Sequence, residues 1–153
     1  MKVQDLMTRD VGACRPFAGA DEGARIMWER DCGAVPIVDQ EGRVVAMLTD
    51  RDVCMAALTQ GRALSEIRSA SAMSLSLWCC RPEDDLSQAE DVMKSRKVRR
   101  LPVVDGDGKL LGILSLSDLA RAATPSRKSR GGRKPVGLSE VGETLASISS
   151  ASS

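Results

Sequence analysis

One period runs through most of this chain, and it constrains the fold more than any other property. At an offset of 66 residues Met7 aligns with Met73, Cys14-Arg15-Pro16 with Cys80-Arg81-Pro82, Met27 with Met93 and Arg30 with Arg96. The same register carries Pro36 onto Pro102, Val38-Asp39 onto Val104-Asp105, Gly42 onto Gly108, Leu48 onto Leu114 and Asp52 onto Asp118. Conservative pairs fill the intervals: Ile37 with Val103, Arg43 with Lys109, Thr49 with Ser115. No gap is needed, so the chain holds two copies of one structural unit.

Each copy reads the same way locally. A short strand, 11–14 or 77–80, runs into an Arg-Pro pair that ends it. A helix follows over about 21–29, with Asp21 and Glu22 near its positive N-terminal end; Glu83, Asp84 and Asp85 serve the second copy. Apolar or small residues at Gly23, Ala24 and Met27, and at Leu86, Ala89, Val92 and Met93, form a helical stripe. Two β-rich runs come next, 35–38 and 44–48, joined by the turn Asp39-Gln40-Glu41-Gly42. In the second copy the turn is Asp105-Gly106-Asp107-Gly108, a stronger signal. A second helix starts near Asp50 or Leu116 and ends by Ala57 or Ala123. The pattern predicts an α+β fold of two β-α-β-β-α repeats, 1–60 and 61–123. Neither is large enough to hold a core alone, so their sheets are expected to pack together with the helices outside.

What is missing narrows the chemistry. There is no histidine, which removes Ser-His and Cys-His pairs and most transition-metal sites. There is no tyrosine and a single phenylalanine, Phe17, so base-stacking platforms are not expected. Of the five cysteines, Cys14, Cys32, Cys54 and Cys80 sit among apolar or small neighbours, as reduced, mostly buried thiols do; none forms a C-x-x-C pair. Adjacent Cys79 and Cys80 would point to opposite faces of a strand. Apolar runs such as 44–48 and 110–114 are too short to span a bilayer, and the start of the chain does not lead into a signal-peptide stretch. A cytoplasmic location without membrane contact is expected. No nucleophile-base pair, metal cluster or phosphate-cradling glycine loop is present, so the chain is not expected to be an enzyme and no catalytic or metal residue is assigned.

The ordered set Ala34-Val35-Pro36-Ile37-Val38-Asp39, Gly42 and Leu48-Thr49-Asp50-Arg51-Asp52 resembles a CBS repeat. So does Arg100-Leu101-Pro102-Val103-Val104-Asp105, Gly108 and Gly112-Ile113-Leu114-Ser115-Leu116-Ser117-Asp118. The leading segments Asp5-Leu6-Met7-Thr8 and Ala72-Met73-Ser74 fit the same family, and the resemblance covers about residues 1–123. It implies a pseudo-twofold Bateman module with two clefts that bind adenosyl ligands, and in many members a homodimer. Two departures stand out: Ala46 where a glycine is common, as Gly112 is in the second copy, and Leu116 in place of a polar residue.

The resemblance also assigns roles. A carboxylate accepts hydrogen bonds from both hydroxyls of a ribose, the part expected of Asp52 and Asp118. Thr49 and Ser115, three residues earlier, have hydroxyls able to donate to a phosphate or ribose oxygen beside a positive helix end. Val35-Pro36 and Leu101-Pro102 are expected to face the adenine with exposed backbone groups. Arg51, Lys97, Arg99 and Arg100 are candidate phosphate contacts; the first copy has Asp31-Cys32-Gly33-Ala34 where the second has the last three, so unequal sites are expected. Bidentate arginine favours AMP, ADP or ATP over S-adenosylmethionine, with NAD also behind; no cofactor is required. The same residues equally suit structure alone: Thr49 and Ser115 as caps, Asp52 and Asp118 as complements to helix dipoles, the arginines as a solvated edge.

Composition changes after Ala123. Residues 124–153 are rich in Ser and Gly and carry five basic and two acidic residues, a net +3 that leaves −2 for 1–123. They read as a flexible basic extension. Arg130-Gly131-Gly132-Arg133-Lys134-Pro135 faintly resembles a minor-groove binder, which keeps nucleic acid open as a partner. Beyond it Leu138, Val141, Leu145 and Ile148 would line one face of a short helix able to dock on the module or a partner. The sequence thus favours a regulatory adenine-nucleotide sensor acting through its dimer or an unknown effector protein. The alternatives are a ligand-free interaction scaffold and a nucleic-acid-associated protein.

Overall fold

A computed structural model describes residues 1–123 and 137–149. A 3-10 turn, Val3–Asp5, precedes α1 (Ala20–Glu29), β1 (Ala34–Val38), β2 (Val44–Thr49) and α2 (Asp50–Gln60). After a second 3-10 turn, Leu64–Glu66, come α3 (Ser69–Ala72), α4 (Leu86–Arg96), β3 (Arg100–Val104), β4 (Leu110–Ser115), α5 (Leu116–Ala123) and α6 (Leu138–Ser149). Among the described residues the strands form two antiparallel two-stranded sheets, β1–β2 and β3–β4. No helix among them is long and apolar enough to cross a membrane. The described residues divide into two compact units: residues 10–77 with 106–110, and residues 1–9 with 78–105 and the described residues from Leu111 onward.

The first unit is built on the β1–β2 hairpin. Val35 pairs with Leu48 and Ile37 with Ala46, and a bulge then sets Val38 against Val44. All five residues of β1 are buried, which explains why it reads as a continuous apolar run and not an alternating one. At the turn Asp39 accepts hydrogen bonds from the amides of Glu41 and Arg43, and Gly42 takes φ +83°, a left-handed conformation that glycine adopts without penalty. The strand expected over 11–14 contributes one parallel bridge, Cys14 to Ile37. The next donor in that ladder would be Pro16, which has no N–H. α1 lies close on the hairpin because Gly23 faces it: a Cβ there would come within 2.6 Å of Leu48 Cδ2. Leu48, Ile37, Val35, Cys14, Met27 and Val53 make the core. Each such aliphatic side chain contributes roughly 1.5–3 kcal/mol by leaving water. α2 runs one turn past the expected stop, to Gln60, and ends on left-handed Gly61. Residues 106–110 complete the unit: the Val44 amide donates to the Gly108 carbonyl and the Leu110 amide to the Gly42 carbonyl.

The second unit repeats this plan. Cys80 bridges Val103 in parallel, Pro82 ends the ladder, and Leu101, Val103, Leu114, Met93 and Leu119 are fully buried. Asp85 and Gln88 form a capping box at the start of α4. The 66-residue period also places the leading segments. Thr8 exchanges two 2.9 Å backbone hydrogen bonds with Ile113 in this unit, and Ser74 pairs with Met47 in the other. Each compact unit therefore takes its leading segment from the opposite sequence copy. Gly112 is small because of this: a Cβ would lie 2.6 Å from the Thr8 carbonyl oxygen. Ala46, its counterpart, is buried in the first core. Gly112→Ala is expected to cost roughly 1–3 kcal/mol through overpacking against backbone, read as a lower midpoint in urea unfolding.

Within the extension expected over 124–153, the described residues include the short helix expected there. α6 is a formed helix packed on α4 and α5. Val141 packs against the core, Thr144 and Ile148 are buried, and Leu145 is half exposed. The Thr144 hydroxyl is satisfied by the Glu140 carbonyl at 2.8 Å, so its burial leaves no orphan donor. A helix of this length is marginal alone in water; Val141 and Ile148 provide the packing that holds it. The basic stretch 130–135, with its nucleic-acid reading, lies outside the described residues.

Candidate functional site

The residues singled out at the strand-to-helix junctions meet as two matching constellations, one in each unit. In the first, the Thr49 hydroxyl accepts from the Asp52 amide at 3.1 Å, and Asp52 Oδ2 accepts from the Thr49 amide at 2.9 Å. This capping box sits where β2 passes into α2, and the Asp50 amide is tied to the Gly33 carbonyl. In the second, Asp118 Oδ2 accepts from the Ser115 amide at 2.8 Å and from the Ser115 hydroxyl at 2.6 Å. The Leu116 amide donates to the Arg99 carbonyl, the 66-residue counterpart of the Asp50–Gly33 contact. Each junction thus holds one hydroxyl and one carboxylate on a single turn at a positive helix end.

The two differ in what remains free. Asp52 is half-buried, and its Oδ1 has no partner among the described residues. Asp118 is 5% exposed, and its Oδ1 is held by the Arg121 guanidinium in an ion pair. The two carboxylates therefore differ in their surroundings. Of the cationic candidates, Arg51 is exposed on the first turn of α2. Lys97 is exposed in a left-handed conformation just past α4, Arg99 is exposed, and Arg100 is half-buried where β3 begins.

Val35-Pro36 and Leu101-Pro102 were expected to face an adenine with exposed backbone groups. All four are buried rather than open to a ligand face. The Pro36 carbonyl accepts from the Cys14 amide and the Pro102 carbonyl from the Cys80 amide, so these backbone acceptors are already engaged. The apolar pairs form the floor of each hairpin core, the place where a buried strand needs side chains without donors.

Sequence reasoning missed a groove of about 720 Å³ in the first unit, at the ends of α1 and α2 facing the α1–β1 loop. Ala24, Met27 and Val53 line it with Cys54, Trp28 stands at its side, and Asp31 and Asp50 mark its polar edge. Trp28 is 87% exposed. Its signal was the four-residue spacing of Ala24 and Trp28, which places a large aromatic on one helix face with small residues. No group of three or more Cys, Asp or Glu among the described residues is placed to hold a metal ion.

The thiols divide by environment. Burial pushes Cys80 up to about 12 and Cys14 up to about 11, with Asp84 and Glu22 respectively adding to the effect, and burial also raises Cys79. Cys32 and Cys54 are exposed. At pH 8 iodoacetamide is expected to modify Cys32 and Cys54 rapidly and to leave Cys14 and Cys80 unmodified until the chain unfolds, as peptide mass mapping will read.

The geometry finds its relatives among proteins built from the same unit. The CBS domain family model matches residues 3–59 and 65–124. The CBS domain-containing protein YhcV of Bacillus subtilis is 37% identical over 118 residues, which are 77% of this chain and 82% of YhcV. Homoserine O-acetyltransferase of Methanohalobium evestigatum is 26% identical over 119 residues, 78% of this chain but 23% of that protein. Among solved structures, Arabidopsis thaliana CBSX2 in complex with AMP superposes with a TM-score of 0.68 at 28% identity, over 80% of this chain and 95% of that one. With both repeats matched and a relative of this similarity along most of its length, the chain belongs to the CBS domain family and carries two CBS domains in tandem.

Proposed function

We propose that this chain is a regulatory sensor of an adenosyl ligand of the AMP, ADP or ATP type, read at the N-terminal ends of α2 and α5. The observation that carries this is the paired capping box, a hydroxyl and a carboxylate on one turn at a positive helix end, present twice at the same offset. Ribose hydroxyls would compete for Asp52 and Asp118, and phosphate would meet the helix N-termini with Arg51, or Lys97, Arg99 and Arg100, within the same region of sequence. AMP in the related CBSX2 supports the ligand class. The matched segment forming a minor part of an acetyltransferase supports a role added to other activities rather than a reaction of its own.

The signal would leave through a homodimer or a separate effector protein. A ligand moves either only by binding two states with different affinity. The exposed apolar residues Trp28, Met55 and Leu58 on α1 and α2 support contact with another chain. A second reading, a scaffold that binds no nucleotide, is favoured by Asp118, whose two oxygens are both engaged within the fold.

Calorimetric titration with AMP, ADP, ATP, NAD and S-adenosylmethionine separates the two, with mass spectrometry of the denatured protein to identify any ligand carried through purification. Saturable heat from an adenine nucleotide, or such a ligand found bound, is expected. A folded protein that carries none and gives no heat with any of the five would establish the scaffold reading instead.

A further inference from the structure

The helices of the two units are related by the 66-residue offset, α1 to α4 and α2 to α5, yet their outer faces are treated differently. In the first unit the α1–α2 face is open and holds the groove beside Trp28. In the second unit α6 lies across α4 and α5. The residue beneath it is an unusual choice. Glu90, the counterpart of Ala24 in the open groove, is only 5% exposed, and its Oε1 is buried with no hydrogen-bond partner among the described residues. A buried carboxylate without a donor is costly when charged and far less so when protonated.

We propose that α6 is a releasable cap over the α4–α5 face, held or freed by the charge state of Glu90. The charged groups acting on Glu90 are Lys94 and Asp91 from α4 itself and Glu140 from α6; among the described residues α5 adds none. Burial raises its ionisation range above the ordinary 4.5; Lys94 opposes this, and Glu140 and Asp91 reinforce it. Two of these causes depend on the docked helix, because α6 brings Glu140 and helps exclude water. The docked state therefore binds the proton more tightly than the released state. Its advantage is complete below the ordinary carboxyl range and is lost as pH rises through the raised one. Val141, Thr144 and Ile148 hold α6 on the unit, while Leu145 is half exposed and the helix has no basic residue to pair with Glu90. Release uncovers on the second unit the kind of two-helix face that is already open on the first.

Hydrogen exchange of the full chain, followed by mass spectrometry between pH 5 and pH 9 and corrected for intrinsic rates, tests this. The β3–β4 hairpin serves as the internal reference. Protection of residues 138–149 is expected to fall with rising pH relative to the hairpin, by roughly tenfold for each pH unit that docking displaces the carboxyl. Glu90→Gln, neutral at every pH, is expected to show high protection and a flat profile. Glu90→Leu, which removes the polar group altogether, should do the same and guards against an effect peculiar to the amide. A flat profile in the unmodified chain, or a slope that survives in both variants, overturns the proposal.

Discussion

Leu114→Ala is expected to destabilise the chain by about 2–5 kcal/mol, the range for a fully buried leucine cut to alanine. Leu114 sits on β4 with no exposed surface, in the cluster that contains Leu101, Val103, Met93 and Leu119. Its neighbours come from a strand and two helices, so little of the void can close by local adjustment. Leu48 occupies the counterpart position in the first unit and is equally buried, so Leu48→Ala should cost a similar amount. Urea unfolding followed by circular dichroism provides the measure, and the shape of the curve adds to it. A single displaced transition in both variants shows the two units unfolding together; a split transition, with only one limb displaced, shows each unit standing on its own. Leu75→Ala is the control. That side chain is 74% exposed, and its loss should change stability by no more than about 0.5 kcal/mol.

Replacement of the junction carboxylates is expected to weaken adenine-nucleotide binding by roughly 10- to 100-fold per site, the equivalent of about 1.5–3 kcal/mol for hydrogen bonds to a charged group. The two variants should differ in what else they do. Asp118→Ala removes the acceptor for the Ser115 amide and hydroxyl and strands Arg121, so it should also lower stability by about 1–2 kcal/mol as a lost cap. Asp52→Ala removes a half-buried group that holds only the Thr49 amide, and should lose binding at a smaller cost to the fold. Calorimetry reads the affinity, and thermal unfolding with and without AMP reads both effects at once, because a ligand raises the midpoint only when it binds the folded state. Unchanged affinity in both single variants and in the double variant would mean that these carboxylates only cap their helices.

Much of this was visible in the residues themselves. The hairpin turns were legible because Gly42 and Gly108 mark the left-handed positions, and the helix starts because Thr49 and Ser115 stand three residues before an aspartate. These are local rules, satisfied within a few residues of chain. The burial of Val35-Pro36 and Leu101-Pro102 was not legible in the same way. A Val-Pro pair has the same appearance whether its carbonyl faces a ligand or accepts from an amide more than twenty residues away, as the Pro36 carbonyl does from Cys14. The stripe Val141, Leu145 and Ile148 announced a buried face on α6 without saying what it would cover. Glu90 gave no signal because glutamate on a helix is ordinarily solvated, and its burial accompanies the packing of α6 on α4. The period also could not say which hairpin a leading segment would join, since both copies present the same pattern to it.

That last choice has a consequence for how such a chain could arise. Residues 1–9 complete the unit that contains β3 and β4, while Ser69 and Ser74 complete the one that contains β1 and β2. A gene encoding one repeat alone would produce a polypeptide whose first segment has no seat on its own body. Two such polypeptides could satisfy each other by trading those segments, as domain-swapped partners do. Duplication and fusion would then have turned an exchange between molecules into a fold within one, with the interlocked ends as its surviving record.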